Sequence, residues 1–163
     1  MDDYFTAEAT LRVAGAYDRN EMVATAAFII NNKDENREMV YRLEGCGDEQ
    51  ARFMAIWYGL KWAYGAGVET LEVLGHDAFM MRVMMGDIRL KPRGLRVIYD
   101  EIKKLEYKIG KVRYELIRKE SNMRCYNLAT LKTPTGNTYR GEVIRPKEVI
   151  QETQTSMFDL DKS

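Results

Sequence analysis

The order in which the hydrophobic period changes constrains this chain most. Residues 10–16 alternate Leu11 and Val13 with Thr10 and Arg12, and residues 22–30 form a β-branched, apolar run. The polar Tyr17-Asp18-Arg19-Asn20 between them reads as a turn, so the two runs predict a hairpin. A third strand is expected at residues 38–43, after a polar loop at 31–36. The period then becomes helical. Phe53, Ile56, Trp57, Leu60 and Tyr64 fall at i, i+3, i+4, i+7 and i+11, with Asp48 near the start and Gly65 and Gly67 at the end. Such a helix packs one face on the sheet.

Strand and helix patterns alternate from there on. Residues 70–74 form a short β-rich run ending at Gly75, followed by a Met-rich helical stretch at 78–85 and a loop around Pro92. Leu95, Ile98, Tyr99, Ile102 and Leu105 mark a second long helix; residues 111–117 alternate as a strand, and 122–131 read as helical. Three meandering strands followed by alternating strands and helices imply an α/β fold, with a mixed five-stranded sheet and helices on both faces. Residues 1–132 are expected to form the domain. From Thr133 the composition turns to Thr, Pro, Gly and Asn and then to polar residues, which predicts a flexible tail over 133–163.

Charge narrows the function classes. The chain of 163 residues holds 25 basic and 25 acidic side chains. That neutrality hides a segregation: residues 1–87 carry 8 basic and 15 acidic groups, residues 88–147 carry 16 and 6, and residues 148–163 carry 1 and 4. A basic face beside an acidic one is one consequence; a face whose charges are mixed again by packing is the other. No apolar run is long enough to span a membrane, and the acidic start Met1-Asp2-Asp3-Tyr4 lacks the order of an export signal, which predicts a cytoplasmic protein. Cys46 and Cys125 lie far apart without metal-ligand spacing and are expected to be reduced thiols.

Four local patterns carry a resemblance. Val13-Ala14-Gly15-Ala16 ends the first strand; Asp48-Glu49-Gln50-Ala51-Arg52-Phe53 opens the first helix, with Gly59-Leu60-Lys61 following. Gly75-His76-Asp77-Ala78-Phe79 ends the fourth strand with Gly86 later, and Lys119-Glu120-Ser121-Asn122 precedes Tyr126-Asn127-Leu128-Ala129. Over residues 8–131 this resembles type 1 ribonuclease H and implies the ribonuclease H-like fold. The four carboxylates with which that family holds two divalent cations correspond to Ala14, Arg52, His76 and Tyr126. Ala offers no ligand, Arg is a fixed cation, and Tyr coordinates only after a costly deprotonation. The resemblance therefore implies a chain with no family-type catalytic residues, metal or cofactor. The competing reading is a rearranged nuclease site built from Asp18, Glu49 and Asp77. The family's hybrid-reading positions are changed as well, to Asp48, Glu49 and Ala78.

For nucleic acid, DNA or an RNA–DNA hybrid, there remains the basic block: Arg89, Lys91, Arg93 and Arg96, then Lys103 and Lys104, then Arg118, Lys119 and Arg124, with Arg52 beside the last group. Such a surface either holds backbone phosphate without sequence preference or is a solvated face with local ion pairs. In the tail, Gln154-Thr155-Ser156-Met157-Phe158-Asp159-Leu160 resembles the peptide by which bacterial replication and repair proteins dock on the sliding clamp. Gln154, Ser156, Met157, Phe158 and Leu160 would make the contacts, the adjacent apolar pair entering a groove. The expected function is a non-catalytic binding protein brought to the replication machinery by its tail; an adaptor or inhibitor of the clamp is the alternative.

Overall fold

In the computed structural model, residues 5–130 and 138–146 are described. The sheet is mixed and has six strands, in the order β5-β4-β1-β2-β3-β6. β1 (Ala9–Asp18), β2 (Val23–Asn32) and β3 (Glu35–Glu44) form the antiparallel meander. β4 (Thr70–Gly75) pairs parallel to β1, β5 (Lys111–Leu116) parallel to β4, and β6 (Thr138–Gly141) parallel to β3. The helices are α1 (Asp48–Gly65), α2 (Ala78–Met84), α3 (Arg93–Ile109) and α4 (Met123–Thr130), the last entered through a 3-10 turn at Lys119–Asn122.

The meander strands run longer than their apolar cores suggested. Asn31 and Asn32 pair with Asn36 and Glu35, so the expected six-residue loop closes to a tight turn at Lys33 and Asp34. At the other hairpin Asp18 is still in the ladder, and its Oδ1 accepts from the Asn20 and Glu21 amides at 2.9 and 3.3 Å to shape the turn.

Helices cover both faces, as the patterning implies. On one face α1 packs over Leu11, Val13, Phe28, Ile30 and Leu43, with α2 and α3 extending the same core. On the other, α4 sets Cys125, Leu128 and Ala129 on Ala14, Ala27, Ile29 and Val40. The face that α1 turns to the sheet differs from the expected one. Its ridge is Ala51, Ala55, Gly59 and Ala63, all buried and spaced by four, flanked by Phe53, Ile56 and Leu60. Trp57 is only half-buried, and Tyr64 is 48% exposed. Small residues let the helix axis approach closely: a Cβ on Gly15 would stand 2.6 Å from the Arg52 backbone nitrogen.

The sixth strand corrects the five-stranded expectation and moves the domain's edge. Residues 138–146, assigned by composition to the tail, lie against the sheet. The rings of Tyr41 and Tyr58 stack at 3.9 Å and Tyr139 lies 5.7 Å from Tyr41. The Tyr58 hydroxyl accepts from the Glu142 amide and donates to the Glu142 carbonyl, each at 2.7 Å. Gly141 is required there, because a Cβ would meet the Tyr58 hydroxyl at 2.6 Å. Val143 and Ile144 pack on the main core. Four polar-looking residues gave no apolar run to reveal this strand; aromatic stacking and side-chain hydrogen bonds hold it.

Cys46 and Cys125 are buried free thiols, and burial pushes Cys46 up to about 11 and raises Cys125 as well, so both stay protonated at neutral pH. Among the described residues no helix is long and apolar enough to cross a membrane.

Candidate functional site

The parallel pairing of β1 with β4 sets Val13 beside Gly75, so the chain leaves β4 next to Ala14. The close approach of Gly15 to α1 brings Arg52 to the same end of the sheet. The result is a hollow of about 110 Å³ lined by Val13, Ala14, Gly15, Arg52, His76, Asp77, Met80 and Tyr126. All four positions at which the resemblance places metal-holding carboxylates, Ala14, Arg52, His76 and Tyr126, therefore line one cavity.

Arg52 dominates its charge. One guanidinium nitrogen donates to Asp77 Oδ1 at 3.0 Å and another to Asp48 Oδ2 at 2.8 Å, tying the first turn of α1 to the loop after β4. Asp77 is further engaged as the N-cap of α2, its Oδ2 accepting from the Met80 amide at 2.9 Å. His76 is held from behind. The buried Asn122 side-chain amide donates to the Val13 carbonyl at 3.0 Å and lies 2.9 Å from His76 Nδ1. An amide N–H can only donate, so His76 Nδ1 accepts and the neutral ring carries its proton on Nε2. Burial lowers the His76 pKa most; Asp77 opposes that, while Lys119 and Arg52 lower it further. Tyr126 meets the His76 ring edge-on at 5.6 Å, and Lys119 Nζ lies 4.0 Å from the centre of the Tyr126 ring.

This donor set does not fit a pair of divalent cations. The hollow has one carboxylate among its lining residues, Asp77, already committed to a guanidinium and a helix cap. Among the described residues no three His, Cys, Asp or Glu side chains are grouped to hold a metal ion. The alternative triad is not assembled either: Asp18 shapes its own turn and lines a separate depression with Arg19 and Arg42, and Glu49 is exposed on α1.

The basic block divides. Arg124 is engaged bidentately by Glu38 at 2.8 and 2.7 Å, Arg96 lies 3.6 Å from Asp100, and Lys103 and Lys104 pair with Glu106 and Glu101 at 3.2 and 2.9 Å. Each of these therefore has a local carboxylate partner. Arg89, Lys91, Arg93 and Arg118 are exposed and have no carboxylate partner among the described residues, and Lys119 has only the Tyr126 ring. Gly94 sits against Gln50, so the start of α3, with Arg93, lies beside the first turn of α1, next to the turn that carries Arg52. Sequence reasoning missed Asp48 as a partner of Arg52, although their spacing of four on a helix was the available signal. Gln154, Ser156, Met157, Phe158 and Leu160 lie outside the described residues.

Residues 12–132 match the protein family described as reverse transcriptase-like. The chain belongs to that family. Solved structures similar to this reverse transcriptase-like domain include the N-terminal ribonuclease H domain of Rv2228c from Mycobacterium tuberculosis, with a TM-score of 0.66 at 18% identity, covering 76% of this chain and 91% of that one. Ribonuclease H1 from the halophilic archaeon Halobacterium salinarum gives 0.66 at 17%, covering 72% and 90%. LC11-RNase H1 in complex with an RNA/DNA hybrid gives 0.65 at 18%, again covering 72% and 90%. At such identities the likeness establishes the ribonuclease H-like fold for this family member. No curated protein matches it in sequence.

Proposed function

We propose that this chain is a ribonuclease H-like binding protein without two-metal hydrolysis, which grips nucleic acid by its phosphate backbone and is brought to the replication and repair machinery by a clamp-binding tail. The observation that carries the first part is the Arg52 guanidinium, held between Asp48 and Asp77 in the hollow where Ala14, His76 and Tyr126 also meet. A fixed cation there repels divalent ions, and the neighbouring side chains supply too few hard oxygens to overcome that repulsion. Support for a nucleic-acid partner comes from Arg89, Lys91, Arg93 and Arg118, which have no carboxylate partner among the described residues, from Lys119, and from the similarity in fold to a protein solved with an RNA/DNA hybrid. Support for the tail is the sequence from Gln154 to Leu160.

The test uses the full chain. Anisotropy of a labelled RNA–DNA hybrid should report binding that weakens linearly in the logarithm of salt concentration, since phosphate contacts release counterions. No acid-soluble product should appear with Mg²⁺ or Mn²⁺. Product formation abolished by Asp77→Asn overturns the non-catalytic reading, and an affinity indifferent to salt overturns the phosphate grip. For the tail, a bacterial sliding clamp should be retained by the full chain and lost on deleting the last ten residues. Retention that survives Met157→Ala with Phe158→Ala refutes clamp docking.

A further inference from the structure

The outer seam between α1 and α3 combines rings with cations that have no carboxylate partner among the described residues, and it starts beside the α1 end that carries Arg52 and runs away from it. The two helices run side by side in the same direction: a Cβ on Gly94 would stand 3.6 Å from Gln50 Nε2 at one end, and Lys108 Nζ lies 5.8 Å from the centre of the Tyr64 ring at the other. Trp57, Lys61 and Tyr64 follow one another at i, i+4 and i+7 along α1. Lys61 Nζ stands 4.7 Å from the centre of the Trp57 ring. Neither Lys61 nor Lys108 has a carboxylate partner among the described residues, and Glu101, a carboxylate on the α3 side, is already tied to Lys104. Arg93, also unpaired among the described residues, opens the seam at its other end.

We infer that this seam is a track for single-stranded nucleic acid. The periodicity of α1 assigns Trp57 and Tyr64 to the core face, yet Trp57 stays half-buried and Tyr64 is 48% exposed, each ring lying beside an ammonium with no carboxylate partner among the described residues. A base stacking on Trp57 displaces Lys61 from the ring toward the adjoining phosphate, and Lys108 does the same at Tyr64. Each pair thus supplies a stacking platform and a phosphate contact together. From Gly94 to Lys108 the helix advances about 21 Å, which accommodates about four nucleotides. Stacking of this kind requires unpaired bases, so the seam selects single strands over duplex. A protein partner of acidic character would use the lysines but not the rings.

The test compares two substrates on the full chain. A twelve-nucleotide oligo-dT should quench the tryptophan emission, and Trp57→Phe should remove that quenching while Trp62→Phe retains it. Lys61→Glu with Lys108→Glu should weaken oligo-dT binding at least about tenfold and leave hybrid binding unchanged. Arg118→Glu with Lys119→Glu, the latter beside Tyr126 of the hollow, should weaken the hybrid and spare the oligonucleotide. Circular dichroism checks that each variant is folded. The inference fails if oligo-dT does not bind while the hybrid does, if quenching survives in Trp57→Phe, or if the seam and hollow variants lose both substrates alike. The seam stands or falls on the oligo-dT readouts, and the hollow's grip on the hybrid readouts, so failure of one is distinguishable from failure of the other.

Discussion

Asn122 is the buried polar residue on which the hollow's architecture depends most. Its amide satisfies the Val13 carbonyl and orients His76 at once. Asn122→Ala leaves both without that partner in a buried place, and should cost about 2 kcal/mol in urea unfolding. The sole histidine gives a second prediction. Burial holds the folded His76 below the ordinary value of 6.5 that the unfolded chain recovers. Between those two values the unfolded chain binds a proton that the folded chain does not. The stabilisation is therefore complete above about pH 6.5 and is lost as pH falls through the folded value. A single imidazole resonance should titrate with a midpoint below 6.5 in the native protein, and unfolding free energy should decline over the same window. Residue by residue, the sequence told which positions would meet: Ala14, Arg52, His76 and Tyr126 do line one cavity. It did not tell how Arg52 would be held. That needs Asp77, 25 residues away in the chain, and no local pattern encodes such a pairing.

At the scale of elements, the sheet is legible where a strand carries an apolar face, even a one-sided one as in β4 and β5, and obscure where it does not, as in β6. Periodicity identified β1 to β5 and all four helices because each carries apolar residues at the spacing of one face, even where, as in β5, only Tyr114 is fully buried. The inward face of α1 escaped it, since Ala51, Ala55, Gly59 and Ala63 carry little hydrophobic signal while letting the helix lie close against the sheet. Gly15→Ala tests that closeness. The new Cβ would fall 2.6 and 2.7 Å from the Arg52 nitrogen and Cα and 2.9 Å from the Ala51 carbonyl carbon, all of them backbone atoms that cannot swing aside. A loss of about 1–3 kcal/mol is expected by thermal or urea unfolding. Val13 and Ala14 shift with β1, so the Arg52–Asp77 contact should loosen in the same variant.

For the whole molecule, the segment 138–146 closes one edge of the sheet. Without it the outer edge of β3 presents free amide and carbonyl groups beside the exposed rings of Tyr41 and Tyr58, a surface suited to pairing with another chain. A chain ending at Thr130 should unfold at lower denaturant and associate with rising concentration in analytical ultracentrifugation. Tyr58→Phe, which removes only the hydrogen bonds to Glu142, should cost about 1 kcal/mol and leave the protein in its original state of association. Composition placed the boundary at 132 because it weighs apolar content; this edge is held instead by a hydroxyl, a tyrosine stack and a glycine.

That arrangement also decides how force enters the domain. β6 lies at the end of the sheet, two strands removed from β1 and its hollow, a separation of about 14 Å. A pull from the residues beyond 146 meets first the Arg145 guanidinium on the Glu44 carbonyl and the packing of Ile144 and Val143, then the Tyr58 hydroxyl on Glu142 and the four backbone pairs of β6. Under load on that segment this edge should yield before the central strands, so the domain carries a mechanical fuse between its C-terminal segment and the hollow beside β1.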